Sequence, residues 1–487
     1  MSRRIKNLLE AKTVTVQASA LVAGRWVQEA FRFLLLLWLA RTSQSGFGLF
    51  VFGAGVASVI HPFLTFGFEQ FTIRELAGNS EAGGRILGQM LRLKTLLGLL
   101  LLSAIAVLGL VQGWSGTELM VVLIIAAGKV LDSWADTLFS LYRYAGRQVQ
   151  EAAYSVKAAL IGALYGAAAL LAGGGIVAVS LFVIVASGLK VLLAAGLGAR
   201  TRFLPKLSGT GPVLPPGRLG ALLMIAALSF MGSFYNQVQV LLLKYFKALS
   251  DLAYYGVAME LAGGLAGLVS ALVIGGVIYP SLTRTATQGP DRLAAFIAAY
   301  FWRLAALGLG IAFFYVTLGQ DLLLFVYGGQ YTASVGPMQI LGLATVFSFV
   351  NNFFIHAFLV QHRERLLLLL HLAPFLLSLV LGVMLVPWLG AQGAALNLLV
   401  CRVVMALLVL TAAHRHFGIF KKDQIEAFLW GGLILGGFYM VLATVDLSMV
   451  HLLAVLFLVG YGWWTWRWTM SPASLLKAGA EERYGSP

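Results

Sequence analysis

Apolar runs about twenty residues long recur along the chain between residues 14 and 469. No other feature constrains the fold as much. A helix rises about 1.5 Å per residue, so each run can cross a hydrocarbon core about 30 Å thick. Lipid offers no water to bond backbone N–H and C=O groups, so a spanning segment is a helix or part of a closed barrel. Barrel strands alternate apolar and polar residues over about ten positions, whereas these runs are continuous. The sequence therefore describes an all-α polytopic membrane protein. Its charged fraction, 11% of 487 residues, is too low to cover a soluble surface of that size. The mean hydropathy of +0.89 agrees.

Fourteen spans are expected, at about 14–39, 46–68, 93–112, 118–140, 153–173, 175–198, 219–243, 254–279, 297–319, 337–360, 366–387, 390–412, 427–446 and 449–469. An even number places both termini on one side. The loops on the opposite side, among them "KYFKALSD" and "PWLGA", hold three basic residues, Arg41, Lys244 and Lys247. Loops on the side of the termini hold twenty-five, including Arg92, Lys94, Arg143 and Arg147. The positive-inside rule then puts both termini in the cytoplasm, with the chain in the cytoplasmic (inner) membrane. One helix more or fewer would scramble this asymmetry. The net charge of +15 thus reads as orientation. It does not read as nucleic-acid binding, for which no basic–aromatic platform exists. The single cysteine, Cys401, rules out an internal disulfide. No metal-ligand cluster or cofactor motif is evident. The basic start "MSRRIKNLLEAK" precedes a span too long and too charged for a signal peptide, and is read as a retained first helix.

The segment "RTRFLPKLSGTGPVLPPGR" (200–218) holds four prolines and lies between spans six and seven. It reads as a cytoplasmic linker between an N-terminal six-helix lobe (1–199) and a C-terminal one (219–413). Spans thirteen and fourteen (414–470) are then additional, followed by a tail (471–487). A faint repeat agrees. "GFGLFVFGAGVASVI" follows span one and "AYYGVAMELAGGLAGLV" follows span seven, with Phe47-Gly48 and Tyr255-Gly256 offset by 208 residues. Both lobes start on the same side, so the repeat is parallel, its axis along the membrane normal. The polar stretch 69–90 is expected to hold a short interfacial helix.

Six basic residues lie inside spans: Arg25, Arg32, Lys129, Lys190, Arg303 and Arg402. The intramembrane acids are Glu29, Asp132, Asp136 and Glu260. Six lipid-exposed cations would cost on the order of 15–20 kcal/mol on insertion scales, more than the net stability of a fold. Such residues therefore face a polar interior. In span one, Arg25, Gln28, Glu29 and Arg32 fall at i, i+3, i+4 and i+7, which is one helix face. Two arginines around one glutamate leave a positive charge unmatched. The face is either a packing ion pair or a cationic patch on a cavity. Span four carries Lys129, Asp132, Ser133, Asp136 and Ser140 at helical spacing, open between internal pairing and a titratable element. Span seven carries Ser229, Ser233, Asn236 and Gln237. Span ten carries Ser348, Asn351, Asn352 and His356. Interhelical hydrogen bonding and sugar contact both account for these two stripes. Lys190 and Arg303 read as snorkelling to the cytoplasmic interface. Arg402 is nearer mid-span. His61, beside Pro62, reads as a packed histidine.

Four segments carry a family resemblance: "LARTSQSGFGLFVFG", "GFEQFTIRELAG", "LSDLAYYGVAMELAG" and "LLLFVYGGQYTASVGPMQILGLA". In order and topology the chain resembles the polysaccharide transporter family. That family comprises O-antigen and exopolysaccharide flippases of the multidrug/oligosaccharidyl-lipid/polysaccharide exporter superfamily. The resemblance implies two six-helix lobes in a V, with alternating access to a central cavity. It implies an undecaprenyl-pyrophosphate-linked oligosaccharide as substrate, surrounding membrane lipid for its tail, and polysaccharide polymerase and ligase machinery as partners. It also implies cationic cavity residues on span one, a role that Arg25 and Arg32 match by position.

The expected substrate contacts are Arg25, Glu29, Arg32, Lys129, Asn236, Gln237, Asn351, Asn352, His356 and Arg402. Glu29, Asp132, Asp136 and Glu260 are the candidates for ion coupling. A multidrug or cation antiporter of the same superfamily is the alternative, against which the excess of intramembrane bases argues. A membrane polysaccharide polymerase is a third reading. It lacks support because the longest loop opposite the termini, around 319–336, holds a single acid, Asp321. No nucleotide loop or nucleophile–base pair is present either. The chain is not read as an enzyme.

Overall fold

The computed structural model describes residues 3–65, 83–200, 219–270, 274, 278–418, 460 and 461, and among these there is no strand. The inter-lobe linker, spans thirteen and fourteen apart from residues 460 and 461, the tail, and 69–82 of the interfacial stretch lie outside the described residues.

Fourteen helices are described: α1 (Arg3–Thr42), α2 (Gln44–Thr65), α3 (Gly83–Val111), α4 (Gly116–Tyr144), α5 (Gln148–Leu171), α6 (Ile176–Ser180), α7 (Phe182–Arg200), α8 (Leu219–Phe246), α9 (Leu249–Val269), α10 (Tyr279–Ala286), α11 (Pro290–Thr317), α12 (Gly319–Tyr327), α13 (Val335–Val360) and α14 (Glu364–Phe417). Seven spans among the described residues are long and apolar enough to cross a membrane by length and hydropathy alone. The chain is a multi-pass membrane protein.

The breaks between helices have local causes. Ser43 separates α1 from α2, and its hydroxyl accepts the Gly46 N–H at 3.2 Å. Gly113 ends the turn after α3 at φ +68°. Ser115 then caps α4 in a reciprocal capping box with Glu118. The expected break at "PWLGA" is present: Gly390, with φ 54° and ψ −128°, divides α14 into two helical stretches. The chain turns sharply there, since a Cβ on Gly393 would lie 2.3 Å from the Leu385 carbonyl oxygen. The stretch expected as the longest loop is also ordered: α12 and a 3₁₀ turn at Gly329–Ser334 fill it.

The chain divides into two compact units. One comprises the described residues of Met1–Gly256 and Glu364–Ala394; the other comprises those of Val257–Arg363 and Ala395–Pro487. In the first unit α1 packs on α5, α2 on both α4 and α8, and α7 on both α4 and α5. Glycines set the closest approaches: a Cβ on Gly24 of α1 would lie 2.9 Å from that of Ala152 on α5. At the ends of α4 and α5, Arg143 grips Glu151, with Nε 3.0 Å from both carboxylate oxygens and Nη2 2.5 Å from one of them. In the second unit α11 packs along α13. Gly308 and Gly342 admit the α13 backbone and the Tyr315 ring respectively, and Tyr315 donates to the Leu261 carbonyl at 2.6 Å.

Gly390 combines a positive φ with a tight neighbour: an added Cβ would sit 2.4 Å from an Asp251 carboxylate oxygen. Gly390→Ala is expected to destabilise the protein by about 1–3 kcal/mol, the usual cost of a side chain forced into that backbone region. A thermal melt of the detergent-solubilised variant reads this loss. Gly418→Ala is the milder comparison, because Gly418 has φ +59° and open space around it.

Candidate functional site

Arg25, Glu29, Arg32 and Leu36 follow one another at i, i+4, i+7 and i+11 on a single face of α1. That face changes character along the helix. Arg25 and Glu29 are exposed, and Arg32 is half-buried. Leu36 is 1% exposed, with Leu39 and Ala40 buried just beyond it. The charges lie just past the middle of α1 (Arg3–Thr42). The buried stretch that follows them leads to the Thr42 end, called here the charge-poor end.

Arg32 Nε donates to Glu29 Oε2 at 2.7 Å, and the two side chains are 39% and 57% exposed. A pair this open contributes about 0.2–1 kcal/mol. It neutralises two of the three charges. Among the described residues no partner is seen for Arg25, so the face carries one net positive charge. Gln28 turns back to its own helix, donating to the Gly24 carbonyl at 3.1 Å.

A second charged group lies where α2, α3, α4 and α7 meet. Asp132 on α4 is held from three sides. Lys190 Nζ lies 3.2 Å from its Oδ1 and Lys129 Nζ 3.8 Å from its Oδ2. Ser187 Oγ donates to Oδ1 at 2.9 Å. Lys190 thus reaches across from α7 to an acid; it does not snorkel away as its position in sequence suggested. An aspartate 58 residues away is a better partner than an interface, because the pair satisfies both charges inside the bundle.

Lys94, expected at a loop edge, is 2% exposed within α3 and donates to the Ser133 carbonyl at 2.7 Å. His61 lies within electrostatic reach of Lys94, Lys129 and Asp132. Its Nδ1 is buried without a partner among the described residues. Asp136 also has a partner. The serines of the same stripe serve the helix itself: Ser133 donates to the Val130 carbonyl and Ser140 to that of Thr137, at 2.7 and 2.6 Å.

The remaining expected contacts divide by unit. In the first unit Asn236 donates to the Gly232 carbonyl on its own helix at 2.7 Å. Gln237 is half-buried beside Gly55 of α2. In the second unit Asn351 is 3% exposed, and its amide donates to the Arg402 carbonyl at 3.1 Å, tying α13 to α14. Asn352, half-buried, donates to Ser270 Oγ at 3.4 Å. His356 Nδ1 sits 2.7 Å from the Asn352 carbonyl, with its ring edge-on to Tyr279. Glu260 and Arg402 are half-buried and partnered. Glu29 with Arg32, and Lys129 with Asp132, are therefore paired at i,i+3, while Arg25 shares the first pair's face with no partner seen among the described residues. Sequence reasoning missed Lys94, and also His371, a buried residue of α14 whose ring packs against Tyr235. Both sit in apolar surroundings that give no short-range signal.

No family model matches the sequence, and no curated protein matches it. Solved structures do match. The lipid II flippase MurJ in an inward closed conformation superposes with a TM-score of 0.67 at 12% identity, covering 92% of this chain and 98% of that one. An inward-facing multidrug resistance MATE family transporter of the MOP superfamily matches with a TM-score of 0.60 at 13% identity, covering 84% and 95%. A MOP superfamily transporter from Pyrococcus furiosus, described as having a binding pocket of reverse polarity, gives 0.52 at 14% identity, covering 87% and 95%. Over nearly its whole length the chain has the fold shared by the MurJ flippase and the MATE transporters.

Proposed function

We propose that the protein is a flippase for a polyprenyl-pyrophosphate-linked oligosaccharide, an O-antigen or exopolysaccharide repeat unit, working by alternating access in the cytoplasmic membrane. The α1 face carries this reading. A helix face that is charged and open at residues 25–32, and apolar and sealed just beyond at Leu36, Leu39 and Ala40, suits the wall of a one-ended hydrated cavity. Lipid exposure would strand three charges, and a packing role would bury them. The surplus positive charge suits an anionic pyrophosphate, which Arg25 and Arg32 can meet with charge-assisted, bidentate hydrogen bonds. Lys129 is a further phosphate contact. Asn236, Gln237, Asn351, Asn352, His356 and Arg402 are assigned to the glycan, with Glu29 orienting Arg32. The long apolar tail stays in lipid. The fold shared with a lipid II flippase supports a lipid-linked substrate.

In this reading the basic loops and both termini are cytoplasmic, and the charge-poor end is periplasmic. Glu29, Asp132, Asp136 and Glu260 are the groups proposed to couple an ion gradient. Polysaccharide polymerase and ligase machinery would receive the product. The open carboxylate of Glu29 favours one second reading, a multidrug or cation antiporter, in keeping with the MATE likeness. Lipid extracts of a deletion strain separate the two. Accumulation of an undecaprenyl-linked oligosaccharide, with unchanged drug sensitivity, is expected. Normal lipid-linked intermediates with raised drug sensitivity would establish the antiporter instead.

A further inference from the structure

We infer that the ion pair between Glu118 and Lys244 is a releasable latch that holds the charge-poor end of the first unit shut. At that end the glycines of α2 meet the first residue of α9 and a side chain of α8 closely. A Cβ on Gly48 would lie 2.1 Å from the Leu249 carbonyl oxygen, and one on Gly55 would lie 2.8 Å from Val240. A Cβ on Gly256, two turns into α9, would lie 2.5 Å from the Val51 side chain. These contacts are apolar or made by backbone, and none is directional. The Glu118–Lys244 pair adds a charged contact beside them, joining α4 to α8.

Each partner is placed for the task. Glu118 is fixed by the start of α4, where its Oε2 accepts the Ser115 N–H at 3.0 Å. Lys244 stands in the last turn of α8, its ammonium 5.9 Å from the centre of the Phe52 ring on α2. Glu118 lines a cavity of about 280 Å³ together with Ser43, Ser45, Ser115, Thr117 and Leu249. Its hydroxyls and its opening to solvent can hydrate the carboxylate when the pair parts. A fully buried pair would strand its charges instead, at a cost of several kcal/mol per ion. The latch is therefore strong enough to bias closure and weak enough to open.

The exposure of α8 runs the same way as that of α1. Ser229 is exposed, Ser233, Asn236 and Gln237 are half-buried, and Val240 is buried, one turn before Lys244. Opening at the latch would extend the wet face of α8 outward past Val240. The periplasmic placement of this end rests on the function proposed above; the latch itself does not.

The test uses the full-length protein in intact cells, with Cys401→Ala removing the single native cysteine and Val240→Cys as reporter. A membrane-impermeant maleimide added outside should label the reporter poorly. Lys244→Ala or Glu118→Gln should raise labelling about fivefold, as expected for loss of a partly exposed ion pair. The charge-exchanged double variant Glu118→Lys with Lys244→Glu should restore protection. Gly48→Ala, which wedges α2 from Leu249, should raise labelling independently of charge. Thermal melts of the same variants confirm folding. Unchanged labelling in folded Lys244→Ala and Glu118→Gln proteins would overturn the latch. Raised labelling in cells whose surface glycan is normal would keep the latch and count against the proposed substrate.

Discussion

Cells carrying alanine at both Arg25 and Arg32 should lose surface-glycan export by about a hundredfold at normal expression, because each charge-assisted hydrogen bond is worth about 1.5–3 kcal/mol. The two residues lie on one exposed face, seven positions apart, with Glu29 between them. Arg25→Ala alone should have the larger single effect, since Arg32 already spends one N–H on Glu29. Lysine at both positions should recover export only in part, because an ammonium offers point charge without the planar fork that matches phosphate. Folding should change little, as an exposed pair contributes under about 1 kcal/mol. The readouts are surface polysaccharide and the pool of undecaprenyl-linked intermediate. Unchanged export with both arginines replaced would sink the proposed phosphate contact.

The second large effect concerns stability. Glu151 is 5% exposed on its side chain and receives the Arg143 guanidinium on both oxygens. Glu151→Ala leaves a guanidinium without its carboxylate in a partly buried place. The expected loss is about 3–5 kcal/mol, the range for breaking a buried pair from one side. Glu151→Gln, which keeps acceptor geometry, should cost less. Replacing both residues by leucine should cost least, since no charge is then stranded. Thermal unfolding in detergent orders the three variants. A different order, with the double variant worst, would mean that the pair acts through something other than its charges.

Much of the fold is readable in the residue string, because lipid enforces a single rule on the backbone. Twelve of the expected spans coincide with described helices, since about twenty apolar residues in lipid leave a helix as the solution. The face of α1 was readable for a similar reason: 100° per residue fixes which side chains share a side. Partners across helices were not. Asp132 with Lys190, and Glu118 with Lys244, are 58 and 126 residues apart. No local period links such positions; only packing brings them together. Lys94 misled for a different reason. It stands at the edge of an apolar run, yet α3 begins at Gly83, three turns earlier, and carries it inside. The break at Gly390 was readable, because Pro and Gly together signal a turn and Gly390 takes a positive φ that divides α14 there.

The half-open, half-sealed face of α1 has an electrical consequence. In the proposed cavity, water beside Arg25 would bring bulk potential to it, and the membrane voltage would then fall mainly across the buried stretch around Leu36. A charge crossing that layer gains or loses about 2.3 kcal/mol per 100 mV. With the cell interior negative, an anionic headgroup passing outward is pushed in the direction of travel. In reconstituted vesicles, reversing the voltage should therefore slow the proposed transport even with no ion gradient present.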